Sequence, residues 1–457
     1  MKIITKTELF QHQQQACDKL YGFTVGALFM EMGTGKTRTA LELIKRKQNK
    51  INKVVWFCPV SLKIPTKKEF MKHLNIKEEN IYIFDNKTNE KTIPKAQFYI
   101  VGIESMQSSN RNIFAAKSLI CLKTFVVVDE SSYIKNHRAK RTINITKLSK
   151  ISRNRLILTG TPITKNIPDL YSQFYFLSKH ILQYNSFYSF ANNHIQYHEK
   201  IKGMIVRTLN TGYICDRINK YTYQVTKKEC LNLPEKIFSE YRYNMTVKQR
   251  TIYEEIKEKF LLQIELDEFN SYSIFQMFTE LQKCLSGYFS DHKRIDCLLE
   301  ILDNCHSEKI IIWCKYIKDI EQVESKLENC SIYTGKLSEK EKFNQIELFR
   351  NKNKYFLATP SSGGHGLTLN EADTVIFYTN SFNYANRKQA EDRCHRIGQK
   401  NNVNYIDIIC NSSIDEKIQE SMSKKTDIIE SFKSKFNAIK NKKNLKKEEL
   451  KKLIKEL

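Results

Sequence analysis

Three short segments carry side chains able to hold and hydrolyse a nucleotide. In the first, Glu31-Met32-Gly33-Thr34-Gly35-Lys36-Thr37, two glycines stand one residue apart just before a helical pattern. Lacking Cβ atoms, Gly33 and Gly35 let the backbone N–H groups around Thr34 close on phosphate at a helix N-terminus. Lys36 would reach the β- and γ-phosphates, and the Thr37 hydroxyl would bind Mg²⁺. The strict pattern G-x-x-x-x-G-K-[ST] fails at its first position, where Met30 stands. A plain strand–helix turn with a solvated lysine is the competing reading.

The second segment is Asp129-Glu130, directly after the apolar run Phe125-Val126-Val127-Val128. Acids at the carboxyl end of a parallel strand lie where α/β sheets bind ligands. One can hold the metal ion while the other orients and polarises an attacking water. Alone, the pair would read as a helix N-cap with a first-turn acid. With Lys36 lying 93 residues upstream, it completes a set for nucleotide hydrolysis. The third segment runs from Gln389 to Gln399 and sets Arg393 and Arg396 three residues apart. At that spacing, on a helix or tight turn, both point the same way. Guanidinium groups of this kind stabilise charge developing on a transferred phosphoryl group. Upstream, Gly363, Gly364 and Gly366 permit close backbone approach to a phosphate or to another lobe.

These segments need rigid carriers. The runs Val54-Val55-Trp56-Phe57-Cys58, Phe125–Val128, Ile310-Ile311-Ile312-Trp313-Cys314 and Val375-Ile376-Phe377-Tyr378 are short, branched and aromatic, without alternation. That is the pattern of parallel strands covered on both faces. Residues 24–30 read as a further strand leading into the glycine loop. Helical patterns at 39–47 and 317–327 lie between strands, which implies α/β architecture. Two runs lie before residue 160 and two after 300; the stretch between reads mostly as helix, over 171–182 and 249–263, with a break at Leu233-Pro234. We expect two parallel-sheet lobes, at residues 1–225 and 291–425. A helical insertion at 226–290 joins them, and a basic helical tail follows at 426–457. In that tail, residues 433–457 hold ten Lys and three Glu, while Leu450, Leu453, Ile454 and Leu457 recur at helical spacing. Either the tail is a solvated helix capping a lobe, or it is a basic arm on nucleic-acid phosphate.

Composition sets the outer limits. The chain has 457 residues, 75 Lys+Arg and 50 Asp+Glu, a net charge of +25. The excess suggests a polyanionic partner, although Lys-rich surfaces also serve solubility alone. With only 14 Gly and 7 Pro, collagen-like and linker-like chains are excluded, and 41% hydrophobic residues are enough to build cores. No apolar run approaches the ~18 residues of a membrane span, and the N-terminus turns polar too early for a signal peptide. A soluble, intracellular, cytoplasmic protein without a membrane partner is expected. None of the twelve cysteines forms a C-x-x-C pair, so no zinc module is expected. Cys58, Cys121 and Cys314 lie in apolar runs and read as small buried hydrophobes in a reducing compartment.

Taken in order, the blocks resemble the SWI/SNF-type ATPases of helicase superfamily 2 across residues 9–415. Leu9-Phe10-Gln11-His12-Gln13 is similar to the Q motif, and Glu31–Thr37 to motif I. Cys58-Pro59-Val60-Ser61-Leu62 resembles motif Ia. Asp129-Glu130 with Ile134-Lys135-Asn136 resembles motif II, and Leu158-Thr159-Gly160-Thr161-Pro162 with Asn166 resembles motif III. Thr226-Lys227-Lys228 through Leu233-Pro234 resembles the linker into the helical insertion. Gly363–Leu369 and Gln389–Gln399 resemble motifs V and VI. Ser131-Ser132 depart from the family's Ala-His, so the histidine that helps couple hydrolysis to lobe movement is absent. His365 and Ser361 depart from the family's usual Leu and Arg. The variant resembles compact bacterial and bacteriophage members.

The resemblance implies two RecA-like lobes with ATP and Mg²⁺ in the cleft. Gln13 would read adenine, with Gly33, Thr34, Gly35, Lys36, Thr37 and Gly366 around the nucleotide and Thr37 and Asp129 on the metal. Lys36, Asp129, Glu130, Gln389, Arg393 and Arg396 would carry the chemistry. Ser105, Thr161, Gly364 and Thr368 match positions that face a bound nucleic-acid strand. The implied activity is an ATP-driven double-stranded DNA translocase that remodels protein–DNA complexes or branched DNA, with single-stranded DNA or RNA as other polymers. A strand-separating helicase is the alternative, and a non-catalytic nucleic-acid scaffold a third reading. Protein partners are unknown.

Overall fold

A computed structural model describes residues 2–163, 167–197, 205–230, 233–363, 367–396, 398–440 and 447–457. It divides into two compact units, Met1–Asn232 and Leu233–Leu457.

The first unit is built on strands β1 (Val25–Met30), β2 (Lys53–Cys58), β3 (Ile81–Ile83), β4 (Phe98–Gly102), β5 (Thr124–Asp129) and β6 (Asn154–Thr159). A small antiparallel pair follows, β7 (Ile195–Tyr197) with β8 (Ile205–Thr208), and then β9 (Thr222–Val225). The main sheet has the order β3-β4-β2-β5-β6-β1-β9, every pair parallel. Successive side chains of a strand point to opposite faces. Val54, Trp56 and Cys58 enter one apolar cluster, and Val55 and Phe57 the other. Both faces are covered, which is why β2 has no polar alternation. Each large apolar side chain buried this way is worth about 1.5–3 kcal/mol.

The second unit contains β10 (Lys236–Tyr243), β11 (Ile310–Trp313), β12 (Cys330–Tyr333), β13 (Tyr355–Ala358), β14 (Thr374–Phe377) and β15 (Val403–Cys410). Its order is β10-β15-β14-β11-β13-β12, again all parallel. Ile310 and Ile312 pack on one face, Ile311 and Trp313 on the other. The α/β class with two parallel sheets matches the expectation from the sequence.

The stretch between the sheets is less helical than its sequence suggests. β9 and β10 both lie in it, each as the outer strand of a sheet. β10 shows mostly exposed residues, so it lacks the apolar run that marks a covered strand. The expected helix at 171–182 is split at Ser178 into Asp169–Leu177 and Lys179–Leu182. The helices Val247–Glu265 and Ser271–Leu285 pack in the apolar cluster of the second unit, together with Ile428–Lys440 and Lys447–Lys455. In the tail, Leu450, Ile454 and Leu457 are buried, and the Tyr253 hydroxyl donates to the Leu457 carbonyl at 2.9 Å. The apolar stripe therefore docks; its lysines Lys447 and Lys451 pair with Asp267 and Glu265. All twelve cysteines are free thiols; Cys58 and Cys314 are buried, whereas Cys121 is half-buried before β5 and not a core residue. Among the described residues, no helix is long and apolar enough to cross a membrane.

Candidate active site

In the first unit β5, β6 and β1 are neighbours, so their carboxyl ends bring three segments to one sheet edge. From β1 the chain enters residues 31–35 and then the helix Lys36–Arg46. Gly33 and Gly35 have φ of 83° and 85°, a left-handed conformation that favours glycine. A Cβ at Gly35 would also stand 2.1 Å from Gln13 Nε2, so any side chain there would displace the Gln13 amide. The Gln13 amide donates to the Thr34 carbonyl at 3.1 Å, and its Oε1 accepts from the Phe10 N–H at 3.1 Å. His12 Nε2 lies 2.8 Å from the same Thr34 carbonyl. The helix Gln11–Tyr21 thus holds the glycine loop through two side chains. Lys36 Nζ donates to the Met30 carbonyl at 3.0 Å, which keeps the ammonium over the loop. Thr37 follows in the first helical turn.

Asp129 ends β5 and Glu130 turns the chain away from it. Glu130 has φ 51° and ψ 56°, a conformation that costs a non-glycine residue about 1–3 kcal/mol and that clusters at functional sites. Its N–H donates to Asp129 Oδ1 at 3.0 Å. Both acids are buried. Burial foremost, and then the Glu130 charge, push the Asp129 carboxyl above its ordinary range, and the Lys36 ammonium opposes them. A buried acid that resists ionisation is a natural partner for a dication. Mg²⁺ prefers hard oxygen donors, one or two carboxylates beside substrate phosphates. The Asp129 carboxylate and the Thr37 hydroxyl supply that chemistry at one edge, so the residues fit the ion.

Ser131, which replaces the family's alanine, is fully buried and donates to Gln173 Oε1 at 2.6 Å. The Gln173 amide in turn donates to the Pro162 carbonyl at 2.8 Å and the Asp169 carbonyl at 2.9 Å. One glutamine therefore ties the turn after Glu130 to the turn after β6. Nothing in the sequence pointed to it, because the partners lie 42 residues apart. Ser131→Ala strands the buried Gln173 oxygen and is expected to cost about 1–3 kcal/mol. The readout is a lower urea midpoint; an unchanged midpoint would mean the bond contributes nothing.

Ser105 opens the short helix Ser105–Ser108 just beyond β4, two strands from β5 on the same edge. Thr161, half-buried, lies beyond β6, and its N–H donates to Thr159 Oγ1 at 3.1 Å. Asn166, Gly364, His365 and Gly366 lie outside the described residues.

In the second unit the helix Tyr384–Glu391 carries Gln389 and ends before the two arginines, which sit in the following turns and not on the helix. Both nevertheless converge. Arg393 Nη1 and Arg396 Nη1 donate to the Leu367 carbonyl at 3.3 and 2.9 Å, and Arg393 Nε donates to the Gln389 carbonyl at 3.2 Å. Thr368 follows Leu367, half-buried; its carbonyl accepts from Arg350 Nη2 at 3.3 Å. Three supports were not evident from the sequence. His395 Nε2 lies 2.8 Å from the Pro234 carbonyl, and Lys236 Nζ pairs with Glu391 at 3.1 Å. Arg387, buried, pairs with Glu391 at 3.0 Å and with Asp407 of β15, and its guanidinium stacks 3.4 Å from the Phe377 ring centroid. Together they pin the arginine segment to the sheet and to the segment entering β10.

The SNF2-related domain family matches residues 16–288, and the helicase conserved C-terminal domain family matches residues 293–398. An ATP-dependent helicase of Mycoplasma pneumoniae is 27% identical over 93% of this chain and 42% of its own length. Nuclear protein STH1/NPS1 of Saccharomyces cerevisiae is 25% identical over 88% of this chain and 33% of its own. The chain spans about two fifths of the length of the mycoplasmal relatives it matches, 42% and 40%. Among solved structures, the SWI2/SNF2 ATPase core of Sulfolobus solfataricus in complex with double-stranded DNA is 24% identical, covering 98% of this chain and 97% of that one, with a TM-score of 0.44.

Proposed function

The chain belongs to the SNF2-related family of ATP-dependent helicases, and we propose that it hydrolyses ATP to move along double-stranded DNA, remodelling protein–DNA complexes or branched DNA. The observation that carries the reading is the shared edge of β1, β5 and β6, where Lys36, Asp129 and Glu130 are brought together.

In this reading Gln13, buried and bonded to Thr34 and Phe10, turns its amide to adenine when the nucleotide enters. The N–H groups of Gly33, Thr34 and Gly35 receive phosphate oxygens. Lys36 exchanges the Met30 carbonyl for the β- and γ-phosphates. Thr37 and Asp129 would hold Mg²⁺, which would supply positive charge to offset that of the phosphates. Glu130 orients the attacking water and accepts its proton, its Cα set beyond the end of β5 by the left-handed turn. Gln389, Arg393 and Arg396 stabilise the charge on the transferred phosphoryl group; the arginines release the Leu367 carbonyl to do so. Residue 366 is assigned to the nucleotide on the family resemblance. The helices Val247–Glu265 and Ser271–Leu285 are taken as the insertion between lobes. Ser105, Thr161, Gly364 and Thr368 are assigned to the bound strand, and the charge of +25 favours a polyanion held through its phosphates.

One assay separates the readings. ATP turnover is measured without polymer and with duplex DNA, single-stranded DNA or RNA. We expect duplex DNA to stimulate most, with no strand displacement. Stimulation by single strands together with displacement would indicate a strand-separating helicase. Equal turnover in all four conditions would sink the motor reading.

A further inference from the structure

A cavity lies in the first unit, on the side of the helix Asp169–Leu177 that carries Tyr171 and Tyr175. It measures about 270 Å³. One wall is the helix Lys140–Ser149, and the facing wall is the helix Asp169–Leu177. Thr142 and Thr146 are four residues apart on the first, and Tyr171 and Tyr175 four apart on the second, so each pair lines one helical face. Phe187 closes the end, stacked on His137 with ring centroids 3.7 Å apart and planes 13° apart. Tyr171 meets Phe187 edge-on at 5.4 Å. Lys150 Nζ stands 5.7 Å above the Tyr175 ring, at the exposed rim.

One helical wall and the end of the cavity are aromatic, the facing wall is not, and three polar atoms of the lining residues are spent on nothing. Thr142 Oγ1, Ser172 Oγ and His137 Nε2 are all buried without a hydrogen-bond partner among the described residues. Thr142 is 4% exposed and Ser172 3%. A buried hydroxyl left unpaired costs about 1–3 kcal/mol; all three atoms belong to residues that line the cavity, closed off from it at present and free to turn toward a ligand. Burial, then the Arg138 charge, holds the His137 pKa below its ordinary value. The ring is thus neutral near pH 7, and its tautomer can suit either a donor or an acceptor.

We propose that this cavity binds a nucleobase bearing a phosphate, the base against the aromatic wall of Tyr171 and Tyr175 and the phosphate at the Lys150 rim. The volume, at the small end of the roughly 300–1,000 Å³ of ligand clefts, takes one ring system and leaves a phosphate outside. Ring stacking is worth about 1–3 kcal/mol per base and tolerates any base. The Thr142 and Ser172 hydroxyls and His137 Nε2 would pair with the edge of the base. The chemistry is the same whether the base comes from a free nucleotide or from an unpaired position in a strand.

The test titrates the full chain with 2-aminopurine deoxyriboside 5′-monophosphate while a non-hydrolysable ATP analogue saturates the Lys36 site. We expect quenched fluorescence and one equivalent bound. Thr142→Val with Ser172→Ala should weaken binding about tenfold, as two lost hydrogen bonds would. Because those hydroxyls have no internal partner, the same change should leave the melting temperature unchanged or raise it. Lys150→Glu should weaken the monophosphate about threefold and the nucleoside not at all. The same base in a single-stranded oligonucleotide separates the sources: quenching there marks a strand base, and quenching of the monophosphate alone marks a free nucleotide. No quenching with either probe at millimolar concentration, or quenching that the cavity variants leave intact, would overturn the proposal and make this a water-filled pocket. Basal ATP turnover is scored separately, so failure of the motor reading would not be mistaken for failure here.

Discussion

Lys36→Ala is expected to lower ATP turnover by about 10²–10³-fold, the usual loss when one preorganised charge is withdrawn from a developing oxyanion. Its structural cost should be small. Lys36 is half-buried, stands at the first position of its helix and makes one backbone hydrogen bond, to Met30. Alanine is also the best helix former. The glycine loop keeps its other ties, from Gln13 and His12 to Thr34. Steady-state hydrolysis, circular dichroism and duplex binding measured on one preparation will separate the effects: activity should fall while fold and binding persist. Near-wild-type turnover would remove Lys36 from the phosphate site, and the proposed mechanism with it.

Arg294→Ala should be the most damaging single change in the second unit. The side chain is fully buried. Its Nε donates to the Tyr243 hydroxyl at 3.0 Å, its Nη1 to the Tyr378 carbonyl at 3.1 Å, and its Nη2 pairs with Asp415. It therefore joins the end of β10, the residue after β14 and the helix Ile414–Ser423. Alanine leaves the Asp415 carboxylate buried with the Cys410 N–H, at 3.2 Å, as its hydrogen-bond donor among the described residues, and the loss should be about 3–5 kcal/mol. That is a large share of a typical stability of 5–15 kcal/mol. The chain's two tryptophans make the measurement unit-specific, since Trp56 lies in β2 and Trp313 in β11, both fully buried. In a Trp56→Phe background, urea unfolding followed by Trp313 should shift. In a Trp313→Phe background, the Trp56 transition should not. Arg294→Met with Asp415→Leu should recover much of the loss, because no uncompensated charge remains. A shift below about 1 kcal/mol for Arg294→Ala would contradict the buried network.

What could be read from the sequence followed from how each part is stabilised. β2, β5, β11 and β14 are covered on both faces, so each is a continuous apolar run. The acids after β5 and the glycines after β1 stood out because they interrupt such runs. β10 escaped notice because an outer strand keeps exposed polar residues and resembles loop. The helical spacing of Leu450, Ile454 and Leu457 announced a docked face, but not the surface beneath it, which is set by Tyr253 some 200 residues earlier. Ser131 with Gln173, Arg294 with Asp415 and Arg387 with Asp407 are likewise pairings between distant positions, and no local pattern records them. The candidate site was legible in its motif residues and illegible in what braces them.

The outer strands also determine how the chain carries load. β9 ends at Val225 and β10 begins at Lys236, so tension on the chain between them reaches each sheet at the end of its outer strand. β9 is held to β1 through four registered residues, whereas β10 is held to β15 through eight. Loaded in shear, the shorter ladder gives way first. Under such a load the tether would therefore lengthen by sliding β9 off β1 and leave β10, braced beside the arginine segment, in place: a mechanical fuse on the side of the first unit.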